Sequence, residues 1–203
     1  VAYTKTPPFI ATLGSMVIAA GLALMYTDSF PESMLSAEFK KIGQGKAGVV
    51  PYVVIIFVVI AVIAWVILNK TRFGKPIYAI GGNESAAQYA GINVKKNTCL
   101  IYIWSGVLAG LAGVLITARS GSGIATLGDG YELDAIAAAT VGGVSQTGGV
   151  GTIGGAVVGI FILGVLNNGL LLLGVSPYLQ QVIKGLIIIG AVVVDMRKAM
   201  KNN

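Results

Sequence analysis

The hydrophobic pattern divides the chain into long apolar runs separated by short polar segments. A bilayer core about 30 Å thick needs roughly 20 apolar residues per helix, whereas the strands of a membrane barrel alternate apolar and polar residues. Residues 53–68 are apolar throughout, so the runs predict helices. Five apolar runs carry at most one charge each, at residues 6–27, 47–69, 97–118, 135–183 and 175–194.

The run at 135–183 is too long for one element. Three crossings are predicted from here to the end of the chain, at about 132–147, 149–173 and 176–194. The first is short for a span, and SQTGG at 145–149 is polar and glycine-rich, so a broken or re-entrant helix is an open alternative. The expected fold is an all-α integral membrane protein, a polytopic helical bundle with about six spanning or re-entrant helices.

Composition and charge fit a membrane protein whose loops differ in sign. Of 203 residues 55% are hydrophobic, 14 are basic and 8 acidic, and the mean hydropathy is +0.83. Because basic loops stay in the cytoplasm, the net charge of +6 is explained by orientation in the membrane and predicts no nucleic-acid partner. Loops 28–46 and 119–134 are expected outside. Expected on the cytoplasmic side are loop 70–96 and the C-terminus, whose basic residues are Lys70, Arg72, Lys75, Lys95, Lys96, Arg197, Lys198 and Lys201.

The usual catalytic chemistries are missing from the sequence. It has no His and a single cysteine, Cys99, so no zinc or haem site of the usual kind and no metal or cofactor is expected. No G-x-x-x-x-G-K-[ST] sequence is present, because Gly74-Lys75 precedes Pro76 and Gly45-Lys46 precedes Ala47. No catalytic residue is predicted, and ATP could act only through another chain.

Polar groups inside apolar runs are the remaining candidates for function. Lys184 could pair with Asp129, Glu132 or Asp134 as a structural ion pair, could snorkel, or could lie on a transport pathway. Five neutral side chains could contact a polar substrate or bond neighbouring helices: Thr140, Ser145, Gln146, Asn167 and Asn168. Glycines at helical spacing, the pair Gly106 and Gly110 and the series Gly151, Gly155 and Gly159, predict close helix packing.

Loop 70–96 predicts one short helix. Gly81 and Gly82 permit a tight turn, Asn83 is a favourable N-cap, and Glu84 suits the positive end of a helix dipole. Gly91 is a typical C-terminal stop, giving a helix from residue 84 to 90 with small residues at Ala86, Ala87 and Ala90. It is either an ordinary surface helix or a docking element.

Four stretches resemble the bacterial ABC permeases that import ribose, xylose and galactosides, most closely the methyl-galactoside branch. They are TPPFIATLG (6–14), NKTRFGKPIYAIGGNESAAQYAGINV (69–94), YELDAIAAATVGGVSQTGGVGT (131–152) and GVSPYLQQVIKGLIIIGAVVVD (174–195). The resemblance implies one permease domain over 1–203, a cytoplasmic ATPase subunit, an extracytoplasmic sugar-binding protein and a second permease subunit. It also implies about ten spans, and since the chain lacks an initiator Met, an N-terminally truncated sequence is expected.

The resemblance further implies that the loop helix couples the permease to the ATPase through Asn83, Glu84, Ala86, Ala87 and Gly91. Ala87 and Gly91 keep the spacing of the E-A-A-x-x-x-G pattern of such helices, but Glu84 stands one place early. The expected function is import of a monosaccharide, of galactose or methyl-galactoside type, across the cell membrane. Alternatives are a ribose or xylose permease, one for another sugar-like signal or for branched-chain amino acids, and a secondary carrier or channel.

Overall fold

The computed structural model describes residues 1–201, and side-chain surroundings up to residue 197. Lys198 and Lys201, which were counted in the basic C-terminal segment, lie outside the described side chains. The chain forms two compact units. The first comprises Val1–Val62 and Asn93–Asp129, and the second comprises Ile63–Ile92 and the chain from Gly130 onwards.

The described residues are mostly helical and include a short two-stranded hairpin. Five of the helices, α1, α3, α6, α8 and α9, are long and apolar enough to cross a membrane. This confirms the prediction of a polytopic helical membrane protein. In chain order the elements are α1 Pro8–Tyr26, α2 Ala37–Gln44, β1 Lys46–Ala47, β2 Val50–Pro51, α3 Tyr52–Lys70, α4 Gly74–Gly82, α5 Glu84–Tyr89, α6 Val94–Ser120, α7 Tyr131–Val141, α8 Ile153–Leu172 and α9 Pro177–Lys201.

The fourth predicted crossing, at about 132–147, is not a spanning helix. Helix α7 has 11 residues, which at 1.5 Å per residue is about 16 Å, or half of the bilayer core. Residues 142–152, which we call the 142–152 loop, then continue without helix to the start of α8. The sequence therefore makes a half-length helix here, as the broken-helix alternative expected.

In the first unit, the C-terminal end of α6 packs against α2. Gly43 of α2 lies so close to the backbone of Ala118 and Arg119 that a β-carbon would clash with it. Ala118 is fully buried, and the Gln44 side-chain amide donates to the Arg119 carbonyl at 3.1 Å. The predicted packing pair Gly106 and Gly110 has no partner among the described residues, since apart from α6 itself none would come within 4 Å of a β-carbon at either position.

In the second unit, α7 packs on α8 through small residues. A β-carbon at Gly159 would meet the Ala138 carbonyl, and one at Gly142 would meet the Gly155 carbonyl, so the two helices run antiparallel in backbone contact. Ala137, Ala138 and Leu163 form a small buried cluster, against which Ile187 and Ile188 of α9 pack. The close packing predicted for the glycine series therefore exists at Gly155 and Gly159.

Candidate functional site

Helix α5 is built by its own capping residues. The Asn83 side chain accepts a hydrogen bond from the Ala86 backbone N–H at 2.9 Å. At the other end Gly91 has φ +83°, and its N–H donates to the Gln88 carbonyl while the Ile92 N–H donates to the Ala87 carbonyl, both at 3.0 Å. This pair of bonds is the Schellman arrangement. The predicted helix is present, and it ends one residue earlier than expected.

Two features of this loop differ from a simple exposed helix after a turn. Ala87, which the resemblance places among the coupling residues, is only 3% exposed. Glycines 81 and 82, expected in a tight turn, instead form the last residues of a further helix, α4, whose C-cap Asn83 is also the N-cap of α5. The exposed side chains of α5 are Glu84, Ser85, Ala86, Gln88 and Tyr89, of which Tyr89 is 93% exposed.

Helix α4 lies directly against the 142–152 loop. A β-carbon at Gly81 would stand 2.5 Å from the Gly149 nitrogen, and one at Gly148 would stand 2.5 Å from the Gly81 carbonyl oxygen. Gly148 and Gly149 also have φ of +93° and +73°, which L side chains rarely adopt. The Tyr78 hydroxyl donates to the Gly151 carbonyl at 2.9 Å. Two backbones are thus in contact with no side chain between them.

The opposite side of the 142–152 loop is held by Asp195 near the end of α9. One carboxylate oxygen, Oδ2, accepts from the Ser145 hydroxyl at 3.0 Å and from the Gln146 backbone N–H at 2.8 Å. Within the loop the Ser145 N–H donates to the Val150 carbonyl at 2.9 Å, which folds the segment back on itself. Asp195 thereby connects two elements that are distant along the chain.

Three of the predicted substrate contacts, Thr140, Ser145 and Gln146, lie in or next to the 142–152 loop. Thr140, 8% exposed, donates to the Ile136 carbonyl at 2.8 Å and accepts from the Gln146 side-chain amide at 2.5 Å. Thr140 and Ser145 line a cleft of about 840 Å³ that also contacts Asp195. Because the hydroxyls of Thr140 and Ser145 and the side-chain NH2 of Gln146 already bond within the chain, these residues shape the 142–152 loop.

Lys184 pairs with one of its expected partners. Its Nζ lies 2.9 Å from Asp134 Oδ2, with both side chains about one third exposed. Glu132 is exposed and forms no ion pair among the residues whose side chains are described. Asp134 and Ser145 thus contact α9 at Lys184 and Asp195, so α7 and α9 run in the same direction. The pair keeps a charge at membrane depth compensated.

The two predicted asparagines differ in their surroundings. Asn168 is exposed. Asn167 lines a cleft of about 360 Å³ together with Tyr131 and Asp134, and its Oδ1 is buried without a hydrogen-bond partner in the described part of the chain. A buried acceptor lacking a partner is unusual, because it has lost water without gaining a hydrogen bond. Asn167 is therefore the predicted contact whose buried acceptor has no partner in the described part of the chain.

Sequence reasoning missed several residues that organise this region. No role was predicted for Asp195, for Tyr78 or for the exposed Tyr89. The SQTGG segment was a signal, since polar and glycine-rich residues next to a short helix indicate backbone that needs partners. Within the described side chains, no group of three His, Cys, Asp or Glu residues could hold a metal ion.

Comparison with known proteins places the chain among transport proteins. Residues 1–192 match the model of the family described as "Branched-chain amino acid transport system / permease component". The chain is 47% identical over 197 residues to the ribose import permease protein RbsC of Bacillus subtilis, covering 96% of this chain and 61% of the relative. It is 45% identical over 205 residues to the galactose/methyl galactoside import permease protein MglC of Escherichia coli, covering 98% and 61%.

A third relative is the ribose import permease protein RbsC of Escherichia coli, 45% identical over 202 residues, with 98% of this chain and 63% of the relative covered. The chain thus spans about three fifths of the length of the curated relatives that it matches. No solved structure matches it at a significant level.

Proposed function

Because the chain belongs to the family of branched-chain amino acid transport system permease components, we propose that it is the membrane-spanning part of an ABC importer for a monosaccharide. The observation that carries this proposal is the 47% identity, over 96% of the chain, to a relative named as a ribose import permease. A relative named for galactose and methyl galactoside is 45% identical. Relatives named for ribose and for galactose are about equally similar to this chain, so the proposed substrate is either of these sugars and not galactosides in particular.

Uptake in cells tests the substrate class. Deleting the gene in its own organism should abolish high-affinity uptake of one labelled monosaccharide, ribose or galactose, and leave uptake of labelled leucine unchanged. A plasmid copy should restore the sugar uptake. The family description favours branched-chain amino acids as a second candidate, and loss of leucine uptake with normal sugar uptake would replace the first proposal by this one.

The proposed energy source is an ATPase on a separate chain, contacting α5. The sequence contains no G-x-x-x-x-G-K-[ST], and α5 presents a rigid, capped helix whose Tyr89 is 93% exposed. Exposed aromatic side chains on a rigid element are frequent anchors of protein interfaces. We place this end of the second unit, and with it Asp195, on the cytoplasmic side because the flanking loop is basic.

A binding protein outside the cell and a second permease subunit complete the proposed importer. In such an arrangement the permease needs no bond chemistry, because its task is to expose a pathway alternately to the two sides. For that pathway the cleft lined by Asn167 has suitable chemistry: an amide side chain, a carboxylate and a phenol. Its volume of about 360 Å³ lies within the range of small-ligand sites, roughly 300–1,000 Å³.

Two neighbouring asparagines give a matched test of this pathway. Asn167→Leu should lower sugar uptake about tenfold, because removing one hydrogen bond to a polar ligand costs about 1–1.5 kcal/mol. Asn168→Leu changes the same side chain at an exposed position and should leave uptake near the wild-type rate. The measurement is initial uptake rate at several sugar concentrations, normalised to permease in the membrane. Equal rates for the two variants would remove Asn167 from the pathway.

A further inference from the structure

We propose that Asp195 is a positioning residue that fastens the 142–152 loop to α9, so that movement of α5 is transmitted to the spanning helices of the second unit. The inference rests on the proposed contact between α5 and an ATPase, and it assigns to Asp195 a role in coupling ATP use to transport. Asp195 itself contacts neither nucleotide nor sugar in this proposal.

The proposed connection starts at α5 and passes through α4. Asn83 is both the C-cap of α4 and the N-cap of α5, so no linker separates the two short helices. Helix α4 then meets the 142–152 loop backbone to backbone at Gly81, Gly148 and Gly149. Close-packed groups of this kind transmit displacement because they leave no space in which to absorb it.

From the 142–152 loop the connection reaches three helices. The loop follows α7 directly, and it ends at Thr152, whose hydroxyl caps α8 by accepting from the Gly155 N–H at 3.0 Å. Helix α9 lies elsewhere along the chain, and Asp195 joins it to the loop through two hydrogen bonds on one carboxylate oxygen. Hydrogen bonds to an ionised carboxylate are stronger than those between neutral groups. Without Asp195, α9 would lose its described polar attachment to the loop.

Removing the carboxylate should uncouple ATP hydrolysis from transport. In the complete complex Asp195→Ala should lower sugar uptake about tenfold, the factor that corresponds to losing a charge-assisted hydrogen bond. The amount of ATPase that co-purifies with the tagged permease and its rate of ATP hydrolysis should remain at wild-type values. Asp129→Ala, at an exposed acid of the first unit, is the control and should leave both measurements unchanged.

A restored connection distinguishes positioning from a general effect on folding. Ser145→Cys combined with Asp195→Cys, in a Cys99→Ser background, removes both hydrogen bonds but places two thiols where the bonded side chains stood. Uptake should be low when the thiols are reduced and should recover when a short thiol-to-thiol cross-linker joins them, with the cross-link verified by mass spectrometry.

Three results would overturn the inference: wild-type uptake by Asp195→Ala, parallel loss of uptake and of bound ATPase in that variant, or cross-linked protein that stays inactive. The proposed function is tested separately by sugar uptake in the wild type. If the wild-type complex transports sugar but the Asp195 variants do not behave as expected, the inference fails and the proposed function stands. If the wild-type complex transports no sugar, the proposed function itself fails.

Discussion

Replacing Gly159 by Ala should destabilise the second unit by about 1–3 kcal/mol, the usual cost of forcing an extra methyl group into a packed contact. The added β-carbon would overlap the Ala138 carbonyl and approach the Gly142 nitrogen. Both are backbone atoms of α7 and its end, so they cannot rotate away as a flexible side chain could. The measurement is the temperature at which detergent-purified protein loses its monodisperse peak in size-exclusion chromatography.

A second glycine of the same helix is the matched control. Apart from its own stretch of helix, no atom of the described chain would lie within 4 Å of a β-carbon at Gly169, and alanine is favoured over glycine in a helix by about 1 kcal/mol. Gly169→Ala should therefore leave the transition temperature unchanged or raise it. Equal transition temperatures for both variants would mean that α7 and α8 are not in backbone contact.

These glycines illustrate how far the sequence determines the fold. The apolar runs correctly predicted the five long helices, because length and apolarity are sufficient for a membrane span. Spacing also predicted close packing at Gly155 and Gly159, and it predicted the same at Gly106 and Gly110, where the described chain offers no neighbour. The spacing of glycines shows that one face of a helix carries only small residues. Which other element packs against that face depends on the three-dimensional arrangement.

In the candidate site, too, the features set by neighbouring residues were predictable from the sequence, and the contacts between distant residues were not. The cap of α5 at Asn83 and its stop at Gly91 were predictable, since each acts on backbone groups within a few residues. The burial of Ala87 was not, because it depends on how α5 sits against its own unit. The hydrogen bond between Ser145 and Asp195 joins residues 50 positions apart. The sequence shows only that an acidic residue follows an apolar run, which does not identify its partner.

Removing the Tyr89 side chain should release the proposed ATPase from the permease. Tyr89 is the large side chain that α5 presents outward, 93% exposed, and truncating an aromatic anchor costs about 2 kcal/mol or more, a loss of roughly thirtyfold in affinity. Tyr89→Ala should therefore reduce the ATPase that co-purifies with the tagged permease, and sugar uptake should fall with it. Helix α5 should remain folded, because its caps at Asn83 and Gly91 are unchanged.

Tyr89 is a better position than Ala87 for testing whether α5 contacts the ATPase. A bulky substitution at Ala87 would also release the ATPase, but Ala87 is buried, so the loss would follow from a distorted helix as readily as from a lost contact. Tyr178 at the start of α9 is 83% exposed and lies at the end that we propose to face outward, which makes Tyr178→Ala the control for removing an exposed phenol. It should retain the ATPase. If Tyr89→Ala retained it equally and transported sugar normally, α5 would not be the contact, even though the chain is a member of this permease family.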